Sequence, residues 1–139
     1  MDRLALGAKV LHAQAFSRLL GAELTAWDED GVTLALNIDE RLTQQRGFVH
    51  GGVLAYLADN ALTFAGGAAL GPDVVTSEFK INYLRPSQGE RLIARATVVH
   101  ASRNQAVCRC EIRARRGAEE KLCACAQGTI VRFGQTTTG

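Results

Sequence analysis

Two hydrophobic periods alternate along this chain. Residues 9–20 (KVLHAQAFSRLL) carry apolar side chains at helical spacing and end at Gly21, which predicts a short amphipathic N-terminal helix. From 22 to 39 the period drops to two. Apolar and polar positions alternate over 23–27, a polar Asp28-Glu29-Asp30-Gly31 turn follows, and the alternation resumes over 32–38, as in a hairpin. Residues 40–50 are polar, include Gly47 and read as a loop. The next segment, GGVLAYLADNALTFAGGAAL (51–70), is rich in alanine and leucine, has no β-branched run and is bounded by Gly71-Pro72. It predicts a long helix. Strand patterns return at about 74–85, 91–102, 105–116 and 121–133, with turns near 87–89, 102–104 and 116–117. A hairpin, a long helix and four further antiparallel strands make an α+β order in which one sheet wraps one helix.

The long helix is unusual in its charge. Between His50 and Asp73 the only charged residue is Asp59. A helix that merely covers a sheet shows several charges on its outer face. This one predicts burial on nearly all sides, part of it against another subunit. At 100° per residue Val53, Leu54, Leu57, Ala61, Phe64 and Ala65 share one face, and Asp59 lies opposite among Gly52, Ala55, Thr63 and Gly66. A lone carboxylate in such surroundings is costly without partners or a task. A solvated surface aspartate is the ordinary alternative, but the absence of neighbouring charge argues against it.

Gly51 and Gly52 open the helix, where the first backbone N–H groups lack internal partners and sit at the positive end of the dipole. Such an N–H can stabilise the oxyanion formed when a carbonyl is attacked. Gly51 and Asp59 are eight residues apart, about 12 Å along one helix, too far to serve the same carbonyl carbon. If both act, the glycine comes from one subunit and the aspartate from its partner across a two-fold axis.

Charge and cysteines narrow the function classes. With 139 residues, 47% apolar and 22% charged, the chain fits one domain, 1–139, with a core at about 20–133. A net charge of +2 argues against a nucleic-acid binder. The charge is uneven: residues 1–79 hold 5 basic and 10 acidic side chains, and 80–139 hold 11 basic and 4 acidic, 9 of those cations being arginine. Arginine suits phosphate, although surface decoration of strands is the ordinary reading. No apolar run approaches the ~18 residues of a membrane span and no export signal stands out, so the cytoplasm is the expected compartment. The pairs Cys108/Cys110 and Cys123/Cys125 have C-x-C spacing, which on a strand puts both side chains on one face. They read as reduced core cysteines and not as metal ligands, and no metal or cofactor is expected.

The block RGFVHGGVLAYLADNA, followed by FKINYLRPSQGERLIARATVV, resembles the hotdog-fold thioesterases, nearest the PaaI-like and 4-hydroxybenzoyl-CoA thioesterase lineage. The resemblance runs from about Leu20 to Phe133 and implies an antiparallel sheet wrapped around a central helix, with sites at a dimer interface. It implies an acyl-CoA thioesterase assembled as a homodimer or homotetramer, with CoA entering as part of the substrate. Asp59 takes the position of the general base or nucleophile and Gly51 that of the carbonyl-polarising N–H. Gln44 falls where substrate or water is held, Thr76 where a hydroxyl orients water or carboxylate, and His50 just before the oxyanion glycine. Gly52, Arg85, Ser102, Arg103 and Asn104 are the candidate substrate contacts, the last four toward the CoA phosphates. Two alternatives stay open at this point: a non-catalytic acyl-CoA binding module, and a hydratase or dehydratase of 3-hydroxyacyl thioesters on the same fold.

Overall fold

The computed structural model describes residues 2–134. Two short helices, α1 (Arg3–Ala13) and α2 (Ala15–Leu20), precede the hairpin β1 (Glu23–Asp28) and β2 (Gly31–Asn37). After a 3-10 turn at Glu40–Leu42 comes the long helix α3 (Gly51–Leu70), and then β3 (Val74–Tyr83), β4 (Arg91–Ala101), β5 (Gln105–Arg116) and β6 (Glu119–Arg132). The six strands form one antiparallel sheet in the order β1-β2-β4-β5-β6-β3, so β1 and β3 are its edges. This is the α+β hotdog arrangement, a sheet curled around one helix.

The expected single helix over 9–20 begins earlier and is broken. Gln14 is extended (φ −84°, ψ 112°), and its side-chain Oε1 accepts from Ser17 Oγ at 2.6 Å and Asn60 Nδ2 at 2.9 Å. Tyr56 donates to the same Ser17 Oγ at 2.6 Å, so a polar cluster pins the break to α3. Those bonds to α3 outweigh the local helical pattern, which is weak at this length.

Leu57, Ala58, Ala61 and Leu62 of α3 are fully buried against Leu34, Leu36, Leu92, Ile112 and Ile130 of the sheet. Each such leucine contributes about 1.5–3 kcal/mol by leaving water. By length and hydropathy α3 could cross a membrane, but here it is the core of the domain. At Gly66 helix and sheet approach closely: a Cβ there would lie 2.6 Å from Ile130 Cβ. It therefore belongs to the packed face and not to the slot around Asp59, because the sheet curls far enough to reach that side of the helix.

On β5 the pattern holds, with Ala106, Cys108, Cys110, Ile112 and Ala114 all buried. The second C-x-C pair is different. The register of β5 on β6 shifts between Ile112 and Arg113, making Cys123 an extra, buried residue while Cys125 turns to the half-buried outer face. A bulge breaks the period of two, so the pair does not share a face. All four thiols are free.

Candidate active site

Asp59 lies on the side of α3 that faces edge strand β3. The register of β3 on β6 sets Thr76 opposite Ile130, the residue packed on Gly66, so the contact that seats the helix also brings Thr76 to Asp59. Thr76 Oγ1 donates to Asp59 Oδ1 at 2.6 Å. Thr63, one turn further along α3, lies 2.9 Å from Thr76 Oγ1 and 2.8 Å from the Asp59 carbonyl oxygen. Three contacts are thus served by two hydroxyl protons. With the Thr76 proton on the carboxylate, Thr63 shares its own between the Asp59 carbonyl and Thr76 Oγ1. Immediately after Thr76 the register shifts by one residue, leaving Ser77 as a bulge. Such bulges re-aim side chains next to functional sites. The carboxylate is half-buried and forms no ion pair, and Asp59 Oδ2 has no partner among the described residues.

The start of α3 forms a second pole. His50 is the N-cap, its Nδ1 accepting from Gly52 N–H at 2.8 Å, which requires the ring proton on Nε2. The Val53 N–H closes onto His50 O at 2.9 Å. With Gly52 and Val53 committed, the Gly51 N–H is the one of these first three without an acceptor among the described residues. Tyr83 donates to Gly51 O at 3.1 Å, and a Cβ at position 51 would sit 3.3 Å from the Tyr83 ring. A free N–H at the positive end of a 20-residue helix suits an oxyanion. Along the same helix it stands about 12 Å from Asp59.

Residues 46–121 match the Thioesterase superfamily, more than half of the chain. The chain belongs to that superfamily. It is 30% identical over 126 residues to the acyl-coenzyme A thioesterase PaaI of Escherichia coli, covering 90% of this chain and 87% of that one. The medium/long-chain acyl-CoA thioesterase YigI of the same organism is 26% identical over 124 residues, 77% of this chain and 80% of its own. Among solved structures, a thioesterase family protein from Silicibacter pomeroyi superposes with a TM-score of 0.81 at 30% identity, covering 90% of this chain and 93% of that one. The protein is a thioester hydrolase.

The other anticipated residues of this thioesterase are distributed as follows. Gln44 lies in the loop before α3 and makes no hydrogen bond to Asp59 or Thr76 among the described residues. Its Oε1 accepts from the Arg46 N–H and its backbone bonds Phe48 O at 2.8 Å, closing a loop bridged at Thr43–Val49. Gly52 has its N–H tied to His50, which removes it as a free donor to substrate. Ser102, Arg103 and Asn104 form the β4–β5 turn, with Ser102 N–H on Gln105 O at 2.8 Å and Arg132 N–H on Asn104 O at 3.0 Å. Arg85 lies at the other end of the sheet, its N–H on Cys123 O at 3.3 Å. Within one protomer β5 separates the two groups by about 25 Å, so they cannot grip the same phosphate. Arg85 borders a cleft of about 270 Å³ with Arg116, Lys121 and Phe48, and the two cations beside it went unnoticed in the sequence. Thr63 was also missed as a site residue, although a hydroxyl four positions after a lone helical carboxylate is a readable signal. Among the described residues, no three His, Cys, Asp or Glu side chains gather where they could hold a metal.

Proposed function

We propose that this thioesterase hydrolyses acyl-CoA, with Asp59 of one protomer and Gly51 of the partner subunit acting on one thioester. The observation that carries the proposal is the 2.6 Å bond from Thr76 to the single carboxylate of α3. It fixes Oδ1 and leaves Oδ2 to face the reacting carbon or a water. As general base, Oδ2 takes a proton from water while the water oxygen bonds to the carbonyl carbon. The carbonyl oxygen becomes an oxyanion held by the Gly51 N–H. Collapse breaks the C–S bond, and CoA leaves as thiolate and is protonated. As nucleophile, Oδ2 itself bonds to the carbonyl carbon, the C–S bond breaks to release CoA thiolate, and water then cleaves the resulting anhydride to the free acid and the Asp59 carboxylate. Neither route calls for a cofactor.

The free edge of β3 supports the two-fold arrangement. It runs for ten residues beside Asp59 and exposes Val75 and Tyr83. Unpaired edges of this length invite pairing with another chain. Antiparallel pairing of β3 with the partner's β3 also sets the two α3 helices antiparallel, which carries Gly51 of the partner subunit toward Asp59. The dimer is the smallest unit that completes a site, and a tetramer would contain two such dimers. The PaaI and YigI names support CoA as the thiol.

Thiol release from acyl-CoA by the purified protein tests the reading. Asp59→Asn is near-isosteric and is expected to keep the fold and assembly while lowering kcat by about 10²–10⁴. A variant within ten-fold of wild type would remove Asp59 from the chemistry.

A further inference from the structure

A chamber of about 510 Å³ between α1 and α3 adjoins the Asp59–Thr76 pair through Thr63. That volume lies within the range of small-ligand pockets. From α1 come Leu6 and Val10, 50% and 47% exposed, four residues apart and therefore on one helix face. From α3 come Thr63, Phe64 and Gly67, and Trp27 closes the end with its ring edge-on to Phe64 at 5.2 Å. Thr63 is shared by the chamber wall and the carboxylate cluster. The space thus begins one helical turn from Asp59, on the far side of Thr63.

Gly67 singles out one wall. Glycine inside a helix is less stable than alanine, so it needs a reason. For its neighbour Gly66 the reason is steric, as Ile130 fills the Cβ position. At Gly67 an added Cβ would meet only Val74 Cγ2, at an ordinary 3.6 Å. Packing within the protomer does not demand this glycine. What its missing side chain leaves is the chamber's depth. Gly67 stands about 12 Å along α3 from Asp59, which matches the ~3 Å from a carboxylate to the carbonyl carbon plus the ~9 Å of an extended octanoyl chain. Apart from Arg3, no charged side chain among the described residues lines the chamber. Gln14 and Asn60 at the margin are bonded to each other and to Ser17, and Arg3 stands at the outer mouth over the Trp27 ring, 5.8 Å from its centroid.

We infer that the α1–α3 chamber receives the acyl group, that the substrates are uncharged medium-chain acyl thioesters, and that Gly67 sets the accepted length. The inference rests on the acyl-CoA reading above and adds the acyl class to it. Butanoyl-CoA stops short of Gly67 and octanoyl-CoA reaches it. Gly67→Leu fills the far end of the chamber, so it is expected to lower kcat/KM for octanoyl-CoA by about ten-fold or more while butanoyl-CoA stays within two-fold. Gly67→Ala should give the same bias to a smaller extent with unchanged or higher thermal stability. Equal loss on both substrates, with or without dissociation of the assembly, would assign the glycine to packing against a neighbouring chain and overturn the inference. No change on either substrate would place the acyl group elsewhere. Wild-type protein inert toward every acyl-CoA would instead sink the acyl-CoA reading itself, and the two failures are distinct.

Discussion

Thr76→Val tests the carboxylate cluster most directly. Valine has nearly the shape of threonine, is at home in a strand and leaves the packing of β3 on β6 intact. It deletes the hydroxyl that donates to Asp59 Oδ1 at 2.6 Å and leaves Thr63 to bond only the Asp59 backbone carbonyl. A hydrogen bond to a charged acceptor is worth about 1.5–3 kcal/mol. If that bond holds Oδ2 in line with the thioester, kcat should fall by about 10–150-fold. Because Thr76 acts by positioning Asp59, KM should change less than three-fold. Thr76→Ser restores the hydroxyl without the methyl and should recover most of kcat, an outcome that a merely structural role would not produce. Thiol release under saturating acyl-CoA supplies kcat, and a thermal melt confirms the fold. A Thr76→Val enzyme within three-fold of wild-type kcat, or a Thr76→Ser enzyme as slow as the valine variant, would refute the positioning role.

The split site predicts a complementation pattern. Mixed dimers of Gly51→Pro and Asp59→Asn single variants should regain one intact site and about half the wild-type rate, whereas both changes on one subunit beside a wild-type partner should leave neither site intact. Robust activity in the second arrangement and none in the first would mean that each protomer builds its own site. Arg103→Ala and Arg85→Ala should each raise KM for acyl-CoA about three- to ten-fold, with kcat within two-fold. An equal effect on an N-acetylcysteamine thioester would show that the arginine does not hold the nucleotide. The buried thiols predict alkaline sensitivity. Desolvation raises Cys108 from 9.0 to about 11; desolvation, helped by Glu111 and Cys125, takes Cys110 to about 12. The unfolded chain releases these protons first, so stability is intact below pH 9 and falls as pH rises from there toward 12. A Cys108→Ala/Cys110→Ala variant should show a flatter denaturant midpoint above pH 9, and an unchanged slope would refute the assignment.

Much of this was legible because the chain alternates between two clean periods. The long helix begins and ends at Gly51 and Leu70 as its composition predicts, since a purely apolar segment between Gly-Gly and Gly-Pro has no competing structure. What escaped detection depends on contacts between distant segments. The break at Gln14 is set by Ser17, Tyr56 and Asn60, and nothing in residues 9–20 reports Asn60. Cys123 left its predicted face because a bulge inserted one residue, and bulges have no strong signature in the strand's own sequence. Gly66 and Gly67 look alike in sequence, yet only the fold separates a glycine pressed on Ile130 from one beside open space. At the site, the lone charge of Asp59 was readable in the sequence, whereas Thr76 was placed near it only by the family resemblance; the two side chains lie 2.6 Å apart. Arg85 and Arg103 were read as one group because both are basic and near turns, while strand topology puts them at opposite ends of β5.

The absence of charge on α3 ties these observations together. A helix wrapped by its own sheet on one side and exposed on the other would carry lysines or glutamates there. Here the less covered side offers Asp59, Thr63 and Gly67, small or polar groups, the last two beside open space. Gly51 meanwhile keeps an N–H at the helix start that has no acceptor among the described residues. A rigid helix cannot fold back to bring that donor to Asp59, and the distance is set by eight residues at about 1.5 Å each. On the proposed mechanism one helix carries two half-sites at separate heights, an arrangement that becomes useful when a second copy of the same helix runs past it in the opposite direction. Selection for catalysis then acts on the surface of α3 as if it were interior, which is how a mostly apolar helix with one carboxylate follows from the chemistry of a shared site.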